Sequence, residues 1–266
     1  MNTSTHYPTD LTDSQWDLLK PLLPLIKSGT SKGGRPASDR RQVINGLLYL
    51  NRTGCQWRMI PPSFGEWRTI YGYFKQWSED ATWKKIMDTL RKEVRKQEGH
   101  DEEPSACSVD SQTVKASIQS EDRGYDGGKK INGRKRHILV DTLGLIIAVV
   151  VTAANYGERE GLKDLLSSYI KNGFHRLRKI WVDNGYFGQP LDTWVKNIKK
   201  THKIVLEVGE SKHGQFEVEK KRWVVERTFS WLFNNRRHSK DYERLTRNSE
   251  SMINISMIHL LLKRLA

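Results

Sequence analysis

The chain has 266 residues, with 45 lysines and arginines against 31 aspartates and glutamates, which gives a formal net charge of +14. A charge of this size favours a polyanionic partner, either nucleic acid or an anionic membrane surface, although a protein that is merely basic also shows it. No stretch approaches the roughly 20 consecutive apolar residues of a membrane span, and the N-terminus lacks the apolar core of a signal peptide. We therefore predict a cytoplasmic protein that acts on nucleic acid and has no membrane association.

The two cysteines, Cys55 and Cys107, lie far apart in the sequence, and neither belongs to a metal-binding pair. A disulfide framework and a cysteine-based zinc site are therefore excluded as organising features. The eight histidines show no ligand spacing either.

The first part of the chain, up to residue 98, predicts a small all-α domain. Thr12 and Gln15 have the spacing of a capping box at the start of a helix. A basic linker then runs from Lys27 to Pro36, and Ser38 is the predicted cap of the second helix.

Two further helices with aromatic faces follow a Pro61-Pro62 break. The first carries Trp67, Ile70, Phe74 and Trp77 at intervals of three or four residues, and the second repeats the pattern from Trp83 to Val94. Short helices of this kind suit a helix-turn-helix-like module, and these aromatics are interpreted as its core. Arg68 and Lys75 lie off the aromatic face of their helix and are candidates for contacting DNA.

The acidic, helix-breaking stretch at 99–104 is the predicted boundary of a second domain, residues 105–266. In this domain the helical periodicity gives way to apolar runs rich in β-branched residues, which predict strands, and Asp141 to Gly144 form a predicted hairpin turn between two of them. Helices and strands alternate in the rest of the domain. This order predicts an α/β, ribonuclease H-like mixed sheet with flanking helices. The predicted elements are strands at 106–109, 135–140, 145–152, 179–182 and 203–208, with helices at about 160–171, 191–198 and 217–233.

Two aspartates end predicted strands that we expect to be parallel neighbours. Asp110 follows Cys107-Ser108-Val109, and Asp183 follows Ile180-Trp181-Val182. Each alone could be an ordinary turn residue, but as a pair they favour a metal-binding site, since Mg²⁺ prefers carboxylate ligands. Asp141 also ends an apolar strand, but that strand is antiparallel to the first, so we assign this residue to the hairpin turn.

The predicted closing helix offers a third acid. Glu217, Glu219 and Glu226 are the candidates, and Glu226 borders the apolar face of the helix. Arg222 precedes Glu226 by one turn, so the helical pattern alone equally fits a surface Arg–Glu pair.

Four blocks of sequence, SVDSQTVKAS, GRKRHILVDTLGL, WVDNGYFG and RWVVERTFSWLFNNRRHSKDYE, resemble the DDE transposases of bacterial insertion sequences, in the group named after insertion sequence five. The N-terminal run GRPASDRRQVINGLLYLNRTGCQWRMIPPSFGEWRTIYGYFKQW resembles the short helical domain that precedes the catalytic core in that group, which implies that residues 1–98 bind the DNA ends. The resemblance implies that Asp110, Asp183 and Glu226 are the metal-binding catalytic triad, with Mg²⁺ as cofactor and Mn²⁺ as a substitute. It implies double-stranded DNA as partner, both the inverted repeats of the transposon and the target, and self-association to at least a dimer during the reaction.

The family signature around the glutamate also contains a tyrosine, an arginine and a lysine. Arg222 matches the arginine and is a predicted phosphate contact, whereas Glu219 and Phe233 stand at the tyrosine and lysine positions. Other predicted DNA contacts are basic residues near the core motifs, namely Lys129, Lys130, Arg134, Arg236 and Arg237, and the first three belong to a basic run that continues to Arg136. The alternatives that stay open are a metal-dependent nuclease without strand transfer and a non-catalytic DNA-binding derivative of a transposase.

Overall fold

The computed structural model describes residues 6–25, 38–171, 176–186, 189–208 and 223–266. The predicted linker at 27–36 lies outside the described residues. So do Glu217, Glu219 and Arg222.

The N-terminal part is helical, as the sequence predicts. Helix α1 (Asp13–Leu19) begins with the predicted capping box, because the Thr12 side chain accepts from the Gln15 amide and the Gln15 side chain accepts from the Thr12 amide. Helix α2 (Arg40–Thr53) is capped by Asp39, whose side chain accepts from the amides of Arg41 and Gln42, so the prediction of Ser38 as its cap is wrong. Helices α3 (Trp67–Glu79) and α4 (Thr82–Gln97) bury the predicted aromatic and aliphatic faces.

The C-terminal part contains a six-stranded mixed sheet. Its strands are β1 (Ala106–Lys115), β2 (Gly124–Asp126), β3 (Ile131–Asp141), β4 (Ile146–Ala153), β5 (Lys179–Val182) and β6 (Val205–Val208). Strands β4, β3 and β1 form an antiparallel meander, and β5 and β6 continue from β1 as parallel neighbours. Without the short β2, which pairs with one end of β3, the order β4-β3-β1-β5-β6 is that of a ribonuclease H-like sheet, so the predicted fold class is confirmed.

Strands β1 and β3 are longer than predicted. Strand β1 passes through Asp110 to Lys115, and β3 begins at Ile131, because the two pair continuously from Cys107 opposite Asp141 to Lys115 opposite Gly133. This close pairing needs glycine at position 133, where a β-carbon would lie 1.9 Å from the carbonyl oxygen of Val114.

Helices cover both faces of the sheet. Helix α5 (Glu158–Lys171) and α6 (Gln189–His202) lie on one side, and α7 (Trp223–Phe233) on the other. A final helix, α8 (Thr246–Leu265), was not predicted from the sequence. It is buried nearly all round and packs between α4 and β4.

The two parts of the chain share one hydrophobic core. Leu47, Phe74 and Leu90 of the N-terminal helices belong to the same buried cluster as Ile138 of β3 and Phe229 of α7. The predicted boundary at 99–104 falls between α4 and β1, but the helices before it pack as part of the C-terminal fold. Among the described residues, no helix is both long and apolar enough to cross a membrane.

Candidate active site

Asp110 and Asp183 lie side by side at the carboxyl end of the parallel part of the sheet. Strands β1 and β5 pair in parallel, with Ser108 opposite Trp181, and continuing this register by two residues brings Asp110 opposite Asp183. Neighbouring strands are about 4.8 Å apart, so this register predicts adjacent carboxylates, and both of them act on the hydroxyl of Tyr186.

Both aspartates are on the face of the sheet that α7 covers. Val109 and Val182, the residues just before them, are buried in the cluster formed with α5. Side chains alternate between faces, so Asp110, which is inside β1, points to the other side, and the same alternation continued one residue past the end of β5 predicts this direction for Asp183. Ile138, the partner of Asp110 on β3, is indeed buried with residues of α7.

A further carboxylate, that of Glu158, lies near the aspartate pair at the edge of the sheet. Glu158, the first residue of α5, accepts a hydrogen bond of 3.0 Å from the hydroxyl of Ser111, the residue after Asp110. A β-carbon on Gly185, two residues after Asp183, would lie 3.0 Å from Glu158 Oε2. Sequence reasoning missed Glu158, because only the fold brings the start of α5 to the loop after β5.

Tyr186 interacts with both the aspartate pair and Glu158. Its side chain is 1% exposed, and its hydroxyl has no hydrogen-bond partner of good geometry among the described residues. Burial raises the pKa of Tyr186 well above its ordinary value, and the nearby charges of Asp110, Glu158 and Asp183 raise it further, against a smaller opposite effect of Ser111. The Tyr186 hydroxyl is therefore kept protonated, as a potential donor beside the carboxylates.

Glu226 lies on the exposed side of α7. Val225, Phe229 and Leu232 bury the helix against the sheet, and Glu226 stands at the border of this face, as predicted. Among the described residues its carboxylate has no hydrogen-bond or ion-pair partner.

The structure does not bring Glu226 together with the two aspartates as a finished metal site. Within the described ranges, no three Asp, Glu, His or Cys side chains are close enough together to hold one ion. The Asp110–Asp183 pair nevertheless fits a divalent cation, since Mg²⁺ is commonly held by one or two carboxylates and keeps several waters.

Asp141 is a turn residue, which confirms the prediction. Its Oδ1 accepts from the amides of Leu143 and Leu145 at 2.9 and 2.8 Å, and its Oδ2 lies 2.5 Å from Arg95 Nη1. With 0% exposure it has no access to a substrate.

The structure corrects two of the predicted DNA contacts. Arg134 is fully buried and donates to Asp241, to Ser249 and to the carbonyl oxygens of Glu121, Glu243 and Arg244. Arg237 is 6% exposed and binds Glu243 Oε1 and the carbonyl oxygen of Cys55. These guanidinium groups are buried and hydrogen-bonded within the protein, so neither of them can reach a DNA phosphate.

The remaining basic candidates are exposed. Lys129 and Lys130 lie in the turn between β2 and β3, and Arg236 lies after α7. On α3, Arg68 stacks on Trp67 and Lys75 lies 3.9 Å from Glu79. Lys135 and Arg136, which extend the basic run in the sequence, are buried in β3.

Comparison with known families decides the classification. Residues 101–261 match the family profile described as "Transposase DDE domain". The chain belongs to the DDE transposase family. Residues 11–87 match a second profile, described as "Putative transposase of IS4/5 family", which agrees with the group that the sequence motifs resemble.

Individual relatives are more distant. An uncharacterized 16.2 kDa protein of insertion element IS402 from Burkholderia cepacia is 29% identical over 107 residues, which are 39% of this chain and 71% of the relative. Protein y4sN of Sinorhizobium fredii, also uncharacterized, is 29% identical over 32% of this chain and 65% of its own length. The crystal structure of a pre-cleavage Mos1 transpososome aligns with 89% of this chain and 80% of its own, at 13% identity and a TM-score of 0.24, a likeness too weak to carry an argument.

Proposed function

We propose that this transposase cleaves DNA at the inverted-repeat ends of its element and joins the freed 3′-hydroxyl to target DNA, using Asp110, Asp183 and Glu226. The observation that carries the proposal is the register of β1 and β5, which supports two adjacent carboxylates on the face of the sheet covered by α7. Metal-dependent phosphodiester chemistry needs such converging oxygen ligands.

The orientation of α7 supports Glu226 as the third acid. At 3.6 residues per turn, Arg227 and Glu226 lie on opposite flanks of the buried face of this helix. Arg227 donates to the carbonyl oxygen of Leu143 at 3.0 Å, and Thr228 donates to that of Gly144 at 2.7 Å. The flank that carries Arg227 therefore faces the β3–β4 hairpin. The hairpin lies at the amino end of β1, so the flank with Glu226 faces the end where Asp110 lies.

In the proposed site, Asp110 and Asp183 hold divalent cations, with Mg²⁺ as the resident ion and Mn²⁺ as its substitute. Such ions, when bound, activate the attacking oxygen and neutralise charge on the phosphate and the leaving oxygen. Glu226 moves toward the aspartates when DNA is bound, by rotation of its side chain or a small shift of α7.

Exposed cations near the core are proposed to contact DNA phosphates. These are Lys129, Lys130 and Arg236 beside the sheet, Arg68 and Lys75 on α3, and Arg222, which lies outside the described residues. We also propose self-association during the reaction, because two transposon ends must be held together.

The test uses linear DNA that carries the ends of the element flanking this gene. Asp110→Asn is expected to abolish Mg²⁺-dependent cleavage and to leave binding of the ends intact. Asp164→Asn, which changes an exposed carboxylate on α5, is the matched control and should cleave as the wild type does. Near-normal cleavage by Asp110→Asn would refute the proposed site.

A precut 3′-end separates transposition from simple nuclease activity. The wild-type protein should join such an end to a target plasmid. Cleavage without a joined product would identify a nuclease, and binding without metal-dependent nicking would identify a non-catalytic derivative.

A further inference from the structure

A ladder of alternating tryptophan and arginine side chains runs along one flank of α7. Arg227 lies 4.3 Å from the ring centre of Trp223 and 4.8 Å from that of Trp231, and Arg264 of α8 stacks on Trp231 at 4.9 Å. Two of these three contacts join side chains that are four residues apart on α7 and therefore lie on the same side of the helix. A guanidinium group that stacks on an indole ring can also recognise phosphate.

The ladder ends at a cleft of about 530 Å³ between the end of α7, the last turns of α8 and Arg52 of α2. Its lining includes Arg52, His259, Lys263 and Arg264, and no aspartate or glutamate. None of these four side chains, nor Arg227, forms an ion pair with a carboxylate in the described part of the chain. Several other described arginines, by contrast, are paired with a carboxylate, as Arg95 is with Asp141 and Arg237 with Glu243.

The positive charges of the cleft act on one another. Burial, together with the charges of Lys263 and Arg52, lowers the pKa of His259 to about 4. The pKa of Arg227 is also lowered, by burial and by Arg264, and its buried Nε has no hydrogen-bond partner among the described residues. A bound anion would relieve this repulsion.

We propose that the ladder and the cleft together bind the sugar–phosphate backbone of DNA. This inference rests on the proposed function, because it takes the substrate of the transposase as the ligand, and it adds a binding surface to the carboxylate site. We call the set Arg52, Arg227, Lys263 and Arg264 the α7–α8 basic surface.

The position of this surface fits one DNA molecule that also reaches the carboxylates. The α7–α8 basic surface lies on the flank of α7 that carries Arg227, opposite the flank that carries Glu226. A helix with its side chains is about 10–12 Å wide, and successive phosphates of one strand are about 3.4 Å apart along the duplex. A strand with one phosphate at the aspartates would therefore cross α7 and place a phosphate several nucleotides away on the basic surface.

The experiment measures the affinity for a short duplex of arbitrary sequence between about 50 and 200 mM salt, without divalent metal. Affinity falls as salt rises, so the plot of log affinity against log salt has a negative slope. Each lost phosphate contact reduces the steepness of this slope by about 0.9. The triple variant Arg52→Gln, Lys263→Gln, Arg264→Gln should reduce that steepness by about two to three, with at least a tenfold loss of affinity at the lower salt concentration. The single variant Lys263→Gln, in which no described partner is lost, should reduce it by about one.

The matched control is Arg247→Gln, on an exposed arginine that already pairs with Glu79 at 2.9 Å. It should keep the wild-type slope, because its charge is already paired and it is not part of this surface. Thermal unfolding identifies any variant that fails to fold.

The outcomes separate this inference from the proposed function. A wild-type slope in both the triple variant and Lys263→Gln would overturn the DNA-binding surface and leave the proposed function standing. Failure of the wild-type protein to bind duplex DNA at all would overturn both.

Discussion

Arg95 of α4 and Asp141 of the β3–β4 hairpin form a buried salt bridge, with 2.5 Å between Nη1 and Oδ2. The same carboxylate closes the hairpin turn through two backbone amides. This salt bridge therefore connects the N-terminal helices to the sheet that carries the candidate active site.

This relationship predicts a large effect of Asp141→Asn on stability. The substitution leaves the buried Arg95 charge without its carboxylate, and among the described residues only the hydrogen bond to the Asp101 carbonyl oxygen remains. Breaking one side of such a buried pair costs about 3–5 kcal/mol. Urea unfolding measures the change, with Glu79→Gln as control, because that residue belongs to an exposed pair that contributes roughly 0–1 kcal/mol. A loss below about 1 kcal/mol for Asp141→Asn would contradict this account of how α4 is attached.

The close approach of β1 and β3 predicts that Gly133→Ala is strongly destabilising. The added carbon would lie 1.9 Å from a backbone oxygen of Val114, which cannot move without opening the ladder. We expect a loss of about 1–3 kcal/mol or more in thermal or urea unfolding. Gly72→Ala on α3 is the control, because no atom lies within 4 Å of its added carbon, and a gain of about 0.5–1 kcal/mol is expected. Equal effects of the two substitutions would disprove the predicted clash.

Glu250 predicts a pH-dependent stability difference. Burial raises the pKa of this α8 carboxyl from 4.5 to about 7, while its Oε1 accepts from the Val151 amide at 2.9 Å and Arg134 lies nearby. A raised pKa means that the folded state keeps the proton longer than the unfolded state, so this group costs stability as the pH rises from about 4.5 to about 7. Glu250→Gln keeps the acceptor and removes the charge. The variant should match the wild type near pH 4.5 and exceed it by about 2–3 kcal/mol at pH 8.

Chemical unfolding of both proteins at several pH values checks this prediction. The difference in free energy of unfolding, variant minus wild type, should grow between pH 4.5 and 7 and then level off. A difference that does not change with pH would show that Glu250 is ionised normally in the fold.

The sequence predicted the sheet well because its strands follow simple rules. The apolar runs before Asp110 and Asp183, and the turn at Asp141, depend on local pattern and on the direction of neighbouring strands. That information is enough to place the two aspartates on adjacent strands and to exclude Asp141 from the site.

Helix α8 shows what the local pattern cannot predict. Asn248, Ser251, Asn254 and Ser256 are all buried in it, and these polar residues interrupt the apolar periodicity that marks a helix in sequence. Their burial depends on distant partners, such as Asn51, which donates to Ser256 Oγ at 2.6 Å. No sequence window contains both members of such a pair.

Arg134 and Glu158 were misjudged or missed for the same reason. Arg134 belongs to a basic run that looks exposed, but β3 is a central strand, and Asp241 from a distant loop binds it. Glu158 is unremarkable as the first residue of a helix, and its place beside Ser111 follows only from the packing of α5 on the sheet. Charge alone does not distinguish a surface cation from a buried one.

The central claim is that Asp110, Asp183 and Glu226 converge on divalent metal, and its most direct test is a crystal of the DNA complex soaked in Mn²⁺. The anomalous difference map should show ions at Asp110 and Asp183, with the Glu226 carboxylate turned toward them. Ions bound elsewhere, or a Glu226 side chain that still points to solvent with DNA and metal in place, would contradict the account.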